Sequence, residues 1–71
     1  MEPYRNLSGT SSVSAFEIGS NYILVRFSTG VIYNYSYRKA GSGHVEQMKV
    51  MARRGFGLNS YINKNVKFLY D

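Results

Sequence analysis

The chain has no cysteine and few residues that can exchange protons. Among its 71 residues there is one histidine, and only four residues are aspartate or glutamate. The absence of thiols excludes disulfides, thiolate metal sites and cysteine nucleophiles. Small domains that lack disulfide staples are typical of reducing compartments, and we therefore expect a cytoplasmic location.

The few acidic residues and the histidine are also scattered. A hydrolase needs two carboxyl groups beside one bond, and a metal site needs closely spaced ligands. His44 lies at the expected start of a helix, where we expect an ordinary exposed imidazole. The acidic residues fall in four separate segments: Glu2, Glu17, Glu46 and Asp71. The sequence therefore predicts a binding protein, not an enzyme, with no catalytic residue, cofactor or metal.

No apolar run approaches the roughly 20 residues that a transmembrane helix needs, and the first residues lack the basic-then-apolar order of a signal peptide. We therefore expect a protein that is neither exported nor embedded in a membrane. The hydrophobic share of 44% is ample for a core, and the length leaves room for one domain. Residues 1–12 are small and polar and predict a flexible tail, so the folded domain is expected over 13–71.

Three β-prone runs open this domain, and turn-forming residues separate them. They are Val13 to Ile18, Tyr22 to Phe27 and Val31 to Tyr37, with Gly19-Ser20-Asn21 and Ser28-Thr29-Gly30 between them. Short connections of this kind predict a three-stranded antiparallel meander. Alternation along the second and third runs predicts one covered face, formed by Ile23, Val25, Phe27, Tyr33 and Tyr35.

Helical spacing follows the meander. Val45, Met48 and Ala52 predict an amphipathic helix whose N-cap is Ser42 and whose C-cap is Gly55. Charged side chains are expected on the opposite face of this helix, namely Glu46, Lys49 and Arg53.

A second, shorter helix is predicted from Leu58, Tyr61 and Ile62, which share one side. Val66, Phe68 and Tyr70 alternate, which favours a fourth strand over the alternative of an apolar lid on the helices. The fold class is therefore α+β: a three-stranded meander, or a four-stranded one with this last segment, covered on one face by one longer and one short helix.

Nine lysines and arginines give a formal net charge of +5, which either keeps the protein soluble or attracts an anionic partner. Because cations are interleaved with aromatic residues, we predict binding of RNA or another polyanion. Phosphate contacts are assigned to Arg38, Lys39, Arg53 and Arg54, and base stacking to Tyr37. Gly55-Phe56-Gly57 predicts a turn, with an anion-binding corner beside Arg53-Arg54 as the alternative.

A different hypothesis is a module that binds a protein partner or a second copy of itself. It would use an exposed sheet edge or the apolar segment around Phe68 and Tyr70. The sequence does not fix the oligomeric state.

Two motifs support a family resemblance. Phe27-x-x-Gly30-x-x-Tyr33-x-Tyr35 and Gly55-x-x-Leu58-Asn59-x-x-Ile62 resemble the KTSC domain, which is named after the carboxy-terminal domain of some lysyl-tRNA synthetases. The match covers about Ser12 to Ile62. The resemblance implies a short bacterial or phage-borne domain with no catalytic residues, for which RNA binding is suggested by the association with a synthetase. The chain departs from the family's usual Val-Pro after Tyr-x-Tyr and has Arg53 near the glycine, where a small residue is expected.

Overall fold

The computed structural model describes residues 1–71, which form an antiparallel sheet with helices on one face. The predicted α+β class, with one longer and one short helix, is confirmed. The strands are β1 (Glu2–Pro3), β2 (Val13–Ile18), β3 (Tyr22–Phe27) and β4 (Ile32–Ser36), in the order β1-β2-β3-β4. The helices are α1 (Ser42–Arg54) and α2 (Leu58–Tyr61), and α2 continues into a π-helical turn over Ile62–Val66.

The meander of β2, β3 and β4 has the predicted covered face. Val25 pairs with Tyr33 and Ile23 with Tyr35, so these four side chains project from the same side of the sheet. Ile23, Val25 and Tyr35 are at most 1% exposed, and Tyr33 packs at the margin of the same cluster together with Phe27. No helix of the structure combines the length and the apolar character needed to cross a bilayer.

Helix α1 lies on this face with the predicted side chains turned inward. Val45, Met48 and Ala52 are buried against the sheet, in agreement with their helical spacing. Gly55 ends α1 in the left-handed conformation at φ 75°, as expected for a C-cap glycine. The predicted N-cap is wrong by one residue: Gly41 precedes the helix without a side-chain cap, and Ser42 is the first helical residue.

The segment from Val66 to Tyr70 does not form the predicted strand. Leu58, Ile62 and Val66 are spaced by four residues and are all buried, so helical burial overrides the alternation that begins at Val66. Beyond the π-helical turn the chain crosses the margin of the sheet. The Tyr70 ring lies 4.4 Å from that of Tyr33, and the Asp71 N–H donates to the Asn34 carbonyl at 2.7 Å.

The fourth strand comes instead from the amino terminus, where a flexible tail was expected. Glu2 pairs with Phe16, and Tyr4 is only 6% exposed. The Tyr4 N–H donates to the Ser14 carbonyl at 3.0 Å, and its hydroxyl accepts the Leu58 N–H at 3.3 Å. A flexible tail was expected because residues 1–12 are polar on average. That average hides one aromatic residue, Tyr4, whose side chain is buried. Residues 2–4 therefore belong to the folded domain.

We expect Tyr4→Ala to destabilise the protein by about 3 kcal/mol, because it removes a buried ring and leaves a cavity. Tyr4→Phe keeps the ring and should cost about 1 kcal/mol for the lost hydrogen bond to Leu58. Leu7→Ala is the control, since Leu7 is 64% exposed and should change stability by less than about 0.5 kcal/mol. Urea unfolding measures all three, and equal stability of Tyr4→Ala and the wild type would contradict this burial.

Candidate nucleic-acid interface

The five residues predicted to bind nucleic acid lie at two ends of α1. Arg38 and Lys39 are in the turn between β4 and α1, where the Lys39 N–H donates to the Ser36 carbonyl at 3.2 Å. Arg53 and Arg54 form the last turn of α1. A helix of 13 residues is about 20 Å long, so the two basic pairs are separated by the length of the helix. The structure therefore places them in two separate patches.

Tyr37, the predicted stacking residue, lies at the end of α1 that carries Arg38 and Lys39, and it is held by contacts within the chain. Its hydroxyl donates to the carboxylate of Glu46, and the Nζ of Lys49 lies 5.5 Å from the centre of its ring. The residue is 37% exposed. Because a cation within the chain already lies over the ring, Tyr37 is poorly placed to stack on a base near Arg53 and Arg54.

Lys49 was expected on the solvent side of α1, and this expectation is wrong. It is 5% exposed, and its Nζ lies 2.7 Å from the Glu46 carboxylate and 3.2 Å from the Ser20 carbonyl. A lysine can bury its aliphatic stem when its ammonium finds polar partners, and here the β2–β3 turn supplies one of them.

This contact network changes the ionisation of its members. The hydrogen bond from Lys49, and next that from Tyr37, lower the pKa of Glu46 below its ordinary value of 4.5. The bond to Glu46 raises the pKa of Tyr37 above 10.0. The Glu46 carboxyl is therefore ionised at neutral pH and accepts both hydrogen bonds.

A depressed carboxyl pKa stabilises the fold above the ordinary pKa, and that contribution disappears as the pH falls through the folded-state pKa. We therefore expect the wild type to lose stability as the pH falls below 4.5, and Glu46→Gln to lose less. Urea unfolding over an acid pH series measures this. Glu17→Gln on β2 is the control and should retain the wild-type acid response. Identical pH profiles for Glu46→Gln and the wild type would contradict the effect.

The other end of α1 carries a larger group of cations. Arg53 and Arg54 line a surface cleft of about 620 Å³ together with Arg5 from the amino-terminal segment. The rest of the cleft is apolar and comes from Leu7, Val50 and Phe56. Each of these three side chains is 47% exposed or more, and no acidic residue lines the cleft. Three arginines therefore share one surface whose lining has no carboxylate, although Arg53 lies near enough to Glu46 to help lower the pKa of that carboxyl.

Gly55 allows the amino-terminal segment to reach this end of α1. The Leu7 N–H donates to the Gly55 carbonyl at 2.8 Å. A β-carbon on Gly55 would lie 2.5 Å from the β-carbon of Arg5, closer than such atoms pack. The left-handed turn at Gly55 also directs the chain to Phe56, which is half exposed beside the cleft. One residue thus positions both Arg5 and Phe56.

A second, neutral pocket adjoins the cleft on the far side of Phe56. It measures about 260 Å³ and is lined mainly by hydroxyl and amide groups, from Ser8, Thr10, Ser11, Asn59 and Ser60, with Gly57. Since Phe56 lines both spaces, an aromatic surface stands between a cationic cleft and a pocket of hydrogen-bonding groups.

Arg5 and Phe56 are the residues of this surface that the sequence analysis did not assign to binding. Phe56 had a signal, because it lies in the Gly55-Phe56-Gly57 turn after Arg53-Arg54. Arg5 had none, because it lies in the segment predicted to be a tail and comes close to α1 only through the docking of Tyr4.

The single histidine is half-buried, not exposed as expected. The Nδ1 of His44 lies 2.6 Å from the Tyr61 hydroxyl and so joins α1 to α2. No carboxylate is hydrogen-bonded to this imidazole, and the structure groups no three metal-ligating side chains together.

The alternative interaction surfaces lie elsewhere. Phe68 is 75% exposed, whereas Tyr70 packs on Tyr33. Part of the β4 edge is occupied by Asp71. The Asp71 N–H donates to the Asn34 carbonyl, and the Asp71 carboxylate accepts a hydrogen bond from the Ser36 hydroxyl at 2.8 Å. Binding of a protein partner or a second copy therefore stays a prediction, with Phe68 as its most exposed apolar residue.

Comparison with known proteins gives no relative: no protein-family model, no curated protein and no solved structure matches the chain.

Proposed function

We propose that this protein is a non-enzymatic module that binds single-stranded RNA at the cleft of Arg5, Arg53 and Arg54. The observation that carries the proposal is the convergence of these three guanidinium groups with the exposed ring of Phe56 around one cleft of about 620 Å³. Proteins that bind single strands combine cations along the phosphates with aromatic side chains under the bases.

The charge of the cleft supports a phosphate ligand. Guanidinium groups remain charged at any physiological pH and form paired hydrogen bonds with phosphate oxygens. The one ion pair of the structure joins Lys49 to Glu46, so it does not involve these arginines. The cleft is also open to solvent, which suits a flexible chain passing across it.

The surroundings of Phe56 support an unpaired strand. A duplex hides the faces of its bases, whereas an unpaired base can stack on an exposed phenyl ring. The adjoining pocket offers the hydroxyl groups of Ser8, Thr10, Ser11 and Ser60 and the amide of Asn59. Such groups hydrogen-bond to base edges and to the ribose 2′-hydroxyl, which favours RNA over DNA.

We also propose that the chain is a KTSC-like domain. What supports this is the structural role of the residues that carry the resemblance. Gly30 and Gly55 have φ values of 93° and 75°, in the region that favours glycine. Tyr35, Leu58 and Ile62 lie in the core. On this proposal the shared motif specifies the fold, and the binding surface is formed by residues outside it.

The test is fluorescence anisotropy with a labelled oligo-uridine over a range of salt concentrations. Each phosphate neutralised on a single strand contributes about −0.7 to the slope of log affinity against log salt, so three contacts predict about −2. Arg53→Gln with Arg54→Gln should lower the affinity at least about tenfold and remove about two thirds of the slope.

The matched control is Arg38→Gln with Lys39→Gln, which removes the same charge at the other end of α1. It should change the affinity by less than about threefold, because only long-range attraction is lost. Equal losses in the two double variants would contradict a localised site. Absent or salt-independent binding by the wild type would contradict the function itself.

Stacking is tested separately with Phe56→Ala, which should weaken oligo-uridine binding by about 1 kcal/mol or more while leaving the salt slope unchanged. Phe56→Tyr keeps a ring and should bind within about twofold of the wild type. The Phe56 side chain is half exposed, so neither change should unfold the protein. An unaffected Phe56→Ala would show that the ring is not part of the site.

A further inference from the structure

A second cavity, of about 220 Å³, lies between the sheet and the carboxy-terminal segment. It shares no lining residue with the basic cleft. The sheet contributes Phe27, Tyr33 and Tyr35, the π-helical turn contributes Ile62 and Asn63, and the following residues contribute Lys67, Phe68 and Tyr70. Five of the eight lining side chains are aromatic, which is a large share for so small a space.

The aromatic rings that line the cavity meet one another at different angles. Tyr33 and Tyr70 lie 4.4 Å apart at 42°, and Phe27 meets Tyr33 edge to face at 5.7 Å and 72°. Phe68 also lines the cavity and is 75% exposed. An inserted flat ring could therefore gain both stacking and edge contacts.

The cavity includes a largely buried phenol. Tyr35 of β4 lines the cavity and is 1% exposed. Burial, with smaller effects from Tyr33 and Tyr70, raises the pKa of Tyr35 to about 12. The hydroxyl therefore stays protonated, and like any phenol it can donate or accept a hydrogen bond in the cavity.

The charge at the mouth decides the sign of the ligand. Lys67 lines the cavity, and its Nζ lies 5.5 Å from the centre of the Phe68 ring. No acidic side chain lines the cavity, and the neighbouring Asp71 is hydrogen-bonded to Ser36. Aromatic cages bind cationic ligands through the faces of their rings, often together with an acidic side chain. Lys67 would repel such a cation, so the cavity is not suited to a cationic ligand.

We propose that this cavity is a binding site for a small planar aromatic carboxylate. The ring lies among Phe27, Tyr33, Tyr70 and Phe68, and the carboxylate pairs with Lys67. A polar group on the ring of the ligand, such as an indole N–H, donates a hydrogen bond to the Tyr35 hydroxyl oxygen. A ligand of this class has one ring or two fused rings, which suits the size of the cavity. Its negative charge suits the positive charge of Lys67.

The test is a titration followed by two-dimensional amide NMR, with indole-3-carboxylate, neutral indole and cationic tryptamine as probes. Indole-3-carboxylate should bind at least about tenfold more tightly than tryptamine, because it gains the charged hydrogen bond to Lys67 instead of repulsion. The shifted amides should be those of the cavity lining, while the amides of Arg53, Arg54 and Phe56 should remain unchanged.

Lys67→Gln should weaken indole-3-carboxylate about tenfold and leave indole unchanged, whereas Lys64→Gln, an exposed lysine outside the cavity, should have no effect. Tyr35→Phe, which keeps the ring, should weaken the same probe about threefold. The wild-type pattern of dispersed amide signals verifies that each variant is folded. Tighter binding of tryptamine, shifts outside the cavity, or equal binding by Lys67→Gln and the wild type would overturn the proposal.

Discussion

The contact between the Gly55 turn and the amino-terminal segment is the constraint on which the proposed binding surface depends. Gly55 lacks a side chain, adopts a left-handed conformation and accepts a hydrogen bond from Leu7, so the backbone at Arg5 can lie against the end of α1. Tyr4 fixes this approach from the other side by inserting its ring into the core beside Leu58. Without both contacts, Arg5 would be separate from Arg53 and Arg54, and the cleft would lose one of its walls.

In this fold the core residues hold the structure together, and the groups suited to bind a ligand lie on the surface. This separation follows from the small size of the domain. A chain of 71 residues has room for one core, and the helices cover one face of the sheet with Val45, Met48 and Ala52. The motifs that resemble the KTSC domain fall within this core or at its turns. The exposed groups with ligand chemistry lie at the end of α1 and at the carboxy-terminal margin of the sheet, where connections and ends of elements meet.

The parts of the structure that sequence could predict are those governed by local periodicity. Alternation placed Ile23 and Val25 inside, and spacing of three and four residues placed Val45 and Ala52 inside, because both patterns act between near neighbours. The residues whose positions were predicted wrongly depend on contacts with residues far away in the chain. Tyr4 is buried by β2 and α2, the ammonium of Lys49 is satisfied by the turn at Ser20, and Val66 continues a helical face that tertiary packing extends.

Half of the proposed binding surface could be predicted from the sequence, for the same reason. Arg53 and Arg54 are adjacent in sequence and were recognised as a pair, whereas Arg5 joins them only through the folded amino terminus. The most direct test of the proposed RNA cleft is therefore the salt dependence of oligo-uridine affinity in Arg5→Gln. Arg26→Gln, which changes an exposed arginine outside the cleft, is the control. Arg5→Gln is expected to reduce the magnitude of the slope by about 0.7, the value of one phosphate contact, and Arg26→Gln is expected to leave it unchanged. An unchanged slope in Arg5→Gln would contradict the proposed cleft.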